Sequence, residues 1–185
     1  MRLFAAVLPP DPVVAELGRA VDRLAGRDGL RWTGRDGWHL TLAFYGEVPG
    51  ETVPELARRL ARAAARTGEF GLALGGGGHF GGRALWAGVR GDVAVLRRLA
   101  ERAEAAGTKA GLPGEHRRYR PHLTLARSRR AHDFGPYVAA LDGFAGTPWT
   151  VRELALVRSH LPTSGVPGEQ PRYEKVGCWE LTGAR

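Results

Sequence analysis

Two copies of one short motif contain the residues of this chain that are best suited to catalysis. The segment Trp38-His39-Leu40-Thr41-Leu42-Ala43-Phe44 recurs as Pro121-His122-Leu123-Thr124-Leu125-Ala126-Arg127, with five identical positions. The chain has only six histidines, and two of them begin the same pentapeptide. Either copy alone would fit an amphipathic strand whose polar side faces water, but the recurrence favours a paired site.

The residue types of this motif suit acid–base chemistry on a phosphate ester. In a strand, the histidine and threonine of each copy share one face and the leucines share the other. Near pH 7 a neutral imidazole can accept a proton while a protonated imidazole donates one. Threonine hydroxyls can donate hydrogen bonds to phosphate oxygens that gain charge. The motif therefore predicts a catalytic site without metal, formed by His39, Thr41, His122 and Thr124.

The segments around these motifs predict a mixed α+β protein with four helices. The helices are expected from the Asp11-Pro12 cap to near Gly26, from Pro54 to before Gly68, from an Asp92 cap through the stripe ending at Ala103, and from Pro136 to Leu141. Strands are expected where apolar residues alternate or form short runs, namely at 3–8, 39–44, 70–74, 84–89, 122–126, 151–157 and 173–181.

Two connections between the predicted strands contain many glycines or prolines. Residues 75–82 include six glycines, but no Gly-Lys-Ser/Thr follows them and no helix begins there, so they predict a flexible hairpin connection rather than a phosphate-binding loop. Residues 161–171 contain three prolines and predict a loop between the final two strands.

Composition and charge limit the class of protein. A chain of 185 residues with 43% hydrophobic residues predicts one domain, residues 1–185, with an internal repeat. No apolar run is long enough for a membrane span or a signal-peptide core, and the single Cys178 fits a reducing compartment, so a cytoplasmic location is expected. The net charge of +8 favours a polyanionic partner such as nucleic acid, although GC-rich codon usage would also explain an excess of arginine.

The paired motifs resemble those of the two-histidine (2H) phosphoesterases, and within them the RNA 2',3'-cyclic phosphodiesterases, also described as 2'-5' RNA ligases. Both His-x-Thr-x motifs are intact, and the resemblance extends to the opening strand, to Phe44-Tyr45-Gly46-Glu47-Val48, to Leu85-Trp86-Ala87-Gly88-Val89, to residues 117–121 and to the closing strand. The resemblance implies a bilobal fold, with two antiparallel sheets facing a central cleft and helices outside, related by a pseudo-twofold internal duplication.

The resemblance also implies an activity and the roles of individual residues. It implies hydrolysis of a terminal RNA 2',3'-cyclic phosphate to a 2'-phosphate, with 2'-5' ligation as a reverse side activity. His39 would be the proton donor and His122 the proton acceptor, with no cofactor and no metal. Arg117, Tyr119 and Arg127 flank the second motif and are expected to contact substrate. Tyr119 and Tyr45 depart from the family pattern and are expected to affect base stacking. A monomer is expected.

Three other functions fit parts of this pattern. A binding module could hold RNA ends without turning them over, but arginine or lysine would serve that purpose without a titratable pair. A phosphodiesterase of small cyclic nucleotides or ADP-ribose cyclic phosphate would keep the mechanism and change the substrate. A metal hydrolase is disfavoured because the histidines lack ligand spacing and the chain has no cysteine cluster.

Overall fold

The computed structural model describes residues 1–24, 26 and 29–184, and in this part the chain forms two antiparallel sheets and four α-helices. The first sheet has the strand order β3-β1-β8-β9, with β1 at Arg2–Val7, β3 at Leu40–Glu47, β8 at Glu153–His160 and β9 at Arg172–Glu180. The second has the order β2-β6-β5-β4-β7, with β2 at Arg31–Trp32, β4 at Phe70–Phe80, β5 at Ala84–Gly91, β6 at Leu123–Arg127 and β7 at Trp149–Val151. The two sheets face each other across a cleft, which confirms the predicted fold class.

Each histidine motif lies at the start of a strand, and the two strands belong to different sheets. His39 immediately precedes β3 and His122 immediately precedes β6, so both strands begin one residue later than predicted. Within both strands the leucines are buried and the threonines are half-buried. The expected alternation is therefore present: the leucines of each strand pack in the core, and the threonines face the cleft.

Helices cover the outer surfaces of the sheets and bury their apolar stripes there. The helices are α1 at Asp11–Asp22, α2 at Val53–Ala65, α3 at Val93–Lys109 and α4 at Gly135–Leu141. Helices α2 and α3 pack against each other, α3 packs on β3, and α4 packs on β4. The predicted inward residues Leu56, Leu60, Leu96 and Leu99 are fully buried.

Both predicted helix caps differ in detail from the structure. Pro10 rather than Asp11 is the N-cap of α1, and Asp11 begins the helix. Asp92 is the N-cap residue of α3, as predicted, but its carboxylate makes no capping hydrogen bond to its own helix and instead accepts one from the Gly71 N–H of the neighbouring strand.

The predicted glycine loop is part of a strand. Residues 75–80 extend β4, and the turn to β5 comes only after Phe80. Glycine is needed here because both faces are crowded: a Cβ at Gly78 would lie 2.3 Å from the Trp86 ring, and one at Gly77 would lie 2.6 Å from Leu141. The predicted start of the hairpin connection was therefore wrong. A strand can contain consecutive glycines where large side chains of other elements pack against both of its faces.

The predicted strand 151–157 is two strands in different sheets. Arg152 separates β7, which pairs with β4, from β8, which pairs with β1 and β9. The chain therefore crosses from one sheet to the other at this residue. The two-residue strand β2 was not predicted, because it is too short to show a period. Residues 161–171 connect β8 to β9 without a strand, as predicted.

The four α-helices are between 7 and 17 residues long. Within the described residues, none of them is both long enough and apolar enough to cross a membrane.

Candidate active site

His39 is held at the edge of the first sheet by its backbone and by two aromatic rings. A short 3-10 turn at Arg35–Gly37 precedes it, and the imidazole Nδ1–H donates a hydrogen bond of 2.7 Å to the Gly37 carbonyl oxygen. The ring lies 4.6 Å from that of Phe4 and 5.3 Å from that of Tyr173, between centroids. Because a carbonyl oxygen only accepts, Nδ1 carries the proton and Nε2 is the nitrogen left to exchange one.

His122 is held in the same way at the start of β6 in the second sheet. Its Nδ1–H donates a hydrogen bond of 2.6 Å to the Arg120 carbonyl oxygen, again two residues earlier in the chain. The ring of Phe80 meets it edge-on at 4.8 Å, and the ring of Trp86 lies 6.3 Å away. The two motifs therefore present two imidazoles with the same tautomer and the same kind of aromatic support.

Burial and neighbouring positive charge lower the pKa of both histidines. Burial lowers the pKa of His39 to about 4, the hydrogen bond to Gly37 opposes this change, and the charges of His122 and Arg127 add to it. The pKa of His122 is also lowered, mainly by burial and to a smaller extent by Arg127, against the hydrogen bond to Arg120. Both imidazoles are thus neutral in the free protein at pH 7.

Arg127 provides the positive charge that both histidines share. It ends β6, is exposed, and is close enough to lower the pKa of His39, His122 and Tyr173. Three groups that are cationic or can become so therefore converge where the two sheets meet. Such a convergence stabilises an anion, and a guanidinium can bind two phosphate oxygens at once.

A cavity of about 1110 Å³ opens beside these residues. Thr41, Phe44, Phe80 and His122 line its inner end, and residues of α3, Glu115 and residues 117–120 line the remainder. Its volume slightly exceeds the usual range for small-molecule pockets. The cavity therefore has room for a nucleoside attached to a phosphate at the histidines.

Arg117 and Tyr119, which were expected to contact substrate, both line this cavity, but in different ways. Arg117 is exposed at the rim. Tyr119 packs against the core, and its hydroxyl is buried without a hydrogen-bond partner among the described residues. Substrate contact by these two residues and by Arg127 stays a prediction.

Tyr45 does not have the role expected for it. Its side chain is buried beneath α3, and its hydroxyl donates a hydrogen bond of 2.7 Å to the Ala103 carbonyl oxygen. The expected effect on base stacking is therefore wrong for Tyr45, because the residue after Phe44 in β3 faces the core.

Sequence reasoning missed the aromatic residues that support the histidines. On the first sheet Phe4 is in register with Phe44, and Ala6 is in register with Thr41, so β1 and β3 present one common face to the cleft. On the second sheet Trp86 is in register with Thr124. The sequence of β1 did contain a signal for Phe4. Leu3, Ala5 and Val7 pack in the main core, so Phe4 and Ala6 lie on the opposite face of the strand. An aromatic residue on that face needs a packing partner outside the main core.

Proteins of known family are similar to this chain over most of its length. The family model of the 2'-5' RNA ligase superfamily matches residues 9–162. A relative from Thermus thermophilus, named RNA 2',3'-cyclic phosphodiesterase, is 35% identical over 195 aligned positions, covering 99% of this chain and 91% of the relative. A protein of the same name from Geobacillus stearothermophilus is 30% identical over 94% of this chain, and the match spans 56% of that protein's length.

Solved structures agree with the sequence comparison. The crystal structure of E. coli LigT complexed with 3'-AMP superposes with a TM-score of 0.81 at 26% identity, covering 98% of each chain. The match to the family model covers most of this chain and includes both histidine motifs. The chain therefore belongs to the 2'-5' RNA ligase superfamily of two-histidine phosphoesterases.

Proposed function

We propose that this protein opens the 2',3'-cyclic phosphate at an RNA end and leaves a 2'-phosphate. The observation that carries the proposal is the pair of imidazoles with identical Nδ1–H bonds to the carbonyls of Gly37 and Arg120, both under the charge of Arg127. The names of the Thermus and Geobacillus relatives support the same activity.

The reaction needs one proton acceptor and one proton donor. Nε2 of His122 takes a proton from water, whose oxygen bonds to phosphorus, while the bond from phosphorus to the ribose 3' oxygen breaks. Nε2 of His39 gives that oxygen a proton, so the products are a 3' hydroxyl and a 2'-phosphate. The hydroxyls of Thr41 and Thr124 stabilise the charge on the non-bridging oxygens. No metal or cofactor takes part in these steps.

The donor role of His39 requires substrate to change its protonation. With a pKa of about 4, His39 is neutral in the free protein near pH 7. A phosphate anion beside it favours the imidazolium form and raises its pKa. When substrate binds, His39 therefore takes up from solvent the proton that it later donates, whereas the free site has two neutral imidazoles.

The remaining features of the proposal follow from sequence and charge. Arg117, Tyr119 and Arg127 contact the RNA, the protein acts as a single-domain monomer, and it resides in the cytoplasm. The net charge of +8 attracts RNA over long range. Joining of RNA ends through a 2'-5' linkage is the reverse of the same chemistry.

Hydrolysis of a short RNA ending in a 2',3'-cyclic phosphate, in the presence of EDTA, tests the proposal. Chromatography that separates 2'- from 3'-phosphate products reports both turnover and the bond that breaks. A 2'-phosphate product is expected. Tight binding without turnover would identify a binding module instead, whereas turnover of nucleoside 2',3'-cyclic phosphates alone would identify a small-molecule phosphodiesterase.

A further inference from the structure

A second groove, of about 410 Å³, lies next to His122 on the second sheet. Trp86 and Pro121 form its border with the active site: the Trp86 ring lies 6.3 Å from that of His122, and Pro121 directly precedes His122 in the chain. Arg97 lines both this groove and the larger cavity. The groove therefore begins where the reacting phosphate would lie.

The glycines that form the floor of the groove have a packing role. A Cβ at Gly88 would lie 2.5 Å from the Gly75 carbonyl oxygen, so the close approach of β4 and β5 requires glycine. A Cβ at Gly75 would lie 3.0 Å from the Arg90 guanidinium, which therefore lies across bare backbone. The glycines explain the position of Arg90 but do not by themselves indicate a ligand.

The side chains around the floor indicate what the groove can bind. Two guanidinium groups, those of Arg90 and Arg97, line it with one carboxylate, Asp142, and none of the three forms an ion pair within the described part of the chain. The indole N–H of Trp86 is buried and has no hydrogen-bond partner among the described residues. A groove lined by two guanidinium groups and one carboxylate is net positive, which suits a phosphodiester.

We propose that this groove holds the RNA backbone phosphate on the 5' side of the terminal nucleotide, with Arg90 as its main contact. The inference rests on the proposed function. A cyclic phosphate uses both the 2' and the 3' oxygen, so the RNA continues only through the 5' oxygen of the terminal nucleoside. The larger cavity offers the rings of Phe44 and Phe80 to the terminal nucleoside, and this leaves the groove on the other side of Trp86 and Pro121 for the phosphate that follows.

The experiment compares two substrates: cytidine 2',3'-cyclic phosphate, which lacks the second phosphate, and a trinucleotide ending in the same group. Arg90→Met is expected to lower kcat/KM for the trinucleotide about tenfold, because the variant loses a charge-assisted hydrogen bond. The value of kcat/KM for the mononucleotide should not change. The slope of log kcat/KM against log salt for the trinucleotide should become shallower by about 0.7. Arg90→Lys, which keeps the charge, should restore most of that slope.

Arg98→Met is the matched control, because Arg98 is exposed on α3 and lines neither cavity. If Arg90→Met lowered kcat/KM equally for both substrates, or did not lower it for the trinucleotide, the groove assignment would be overturned. The proposed function would not be affected by either result. If the wild-type protein hydrolysed neither substrate, the proposed function would fail. The groove would then be judged by fluorescence anisotropy with a trinucleotide 3'-phosphate, and an unchanged Kd in Arg90→Met would overturn it.

Discussion

His39 and His122 have the same hydrogen-bonding arrangement but are buried to different degrees. Each donates from Nδ1 to the carbonyl oxygen two residues earlier, so the neutral forms share a tautomer. His39 is packed between Phe4 and Tyr173, and desolvation lowers its pKa to about 4. The histidines of the free site are therefore uncharged near pH 7, and we expect His39 to become protonated when an anion binds.

Anion binding should reverse the protonation of His39. We expect the pKa of His39, followed by NMR, to rise from about 4 toward or above 6 when a nucleoside 2'-phosphate binds, because the phosphate stabilises the imidazolium. A His39 pKa that stays near 4 in the complex would argue against its role as proton donor.

The same burial makes the stability of the protein depend on pH. In the unfolded chain His39 titrates near ~6.5, and in the folded chain at about 4. Between these values the unfolded state binds more protons, so stability from His39 is full above the unfolded pKa and is lost as pH falls toward 4. His39→Gln should therefore show a smaller drop in Tm from pH 7.5 to pH 5 than the wild type. An equal drop would contradict the burial assigned to this imidazole.

At the scale of secondary structure, α3 supports the second motif across the cleft. Arg97 of α3 donates a hydrogen bond of 3.2 Å to the Tyr119 carbonyl oxygen, one residue before the Arg120 carbonyl that fixes His122. Arg97 thus acts on His122 only through the backbone, which makes it a positioning residue. The first motif is instead preceded by its own 3-10 turn.

Loss of Arg97 should therefore disturb one histidine and not the other. In Arg97→Met without substrate, ¹⁵N NMR should show His122 losing part of its preference for the Nδ1–H tautomer while His39 keeps it. We expect kcat to fall about tenfold, within the range for a lost charge-assisted hydrogen bond. Arg98→Met is the control on the same helix. If Arg97 acted only on substrate, KM would rise and the tautomer of His122 would not change.

Elements with a strong hydrophobic period could be predicted from the sequence. Elements whose limits depend on contacts between distant residues could not. The stripes of α2 and α3 and the alternation after His39 and His122 were readable because burial on one face leaves a regular pattern. The glycine-rich end of β4 was not readable, since Trp86 and Leu141, distant in sequence, determine why glycine is there. The break at Arg152 was hidden because both strands that it separates are apolar.

The proposed catalytic residues could be predicted from the sequence for a similar reason, whereas the residues that surround them could not. His39, Thr41, His122 and Thr124 repeat in the chain, so one copy supports the interpretation of the other. Phe80 and Trp86 meet His122 only through the pairing of β4, β5 and β6, which the sequence does not specify.

At the scale of the whole molecule, the two sheets share one core. A single cluster of buried residues includes Leu3 and Leu156 of the first sheet together with Leu74 and Leu125 of the second. Neither sheet can then be exposed without opening that core. We therefore expect the two sheets on either side of the cleft to unfold as one cooperative unit.

This shared core predicts a single unfolding transition. Calorimetry should give one peak with a van't Hoff enthalpy equal to the calorimetric enthalpy, which is the test for two-state behaviour. Leu125→Ala, in the second sheet, should lower the free energy of unfolding by about 2–5 kcal/mol and shift the whole transition. Two peaks, only one of which responds to this substitution, would show that the lobes unfold separately.

The central claim is that His39 and His122 act as one catalytic unit, and single-turnover hydrolysis of an RNA 2',3'-cyclic phosphate by three variants tests it most directly. His39→Ala and His122→Ala should each fold normally and lose roughly 10²-fold to 10⁴-fold in rate. The double variant should be little worse than either single variant, because the members of a catalytic unit are not additive. His116→Ala should retain the wild-type rate. Near wild-type turnover in either single variant, or fully multiplicative losses in the double variant, would contradict the account.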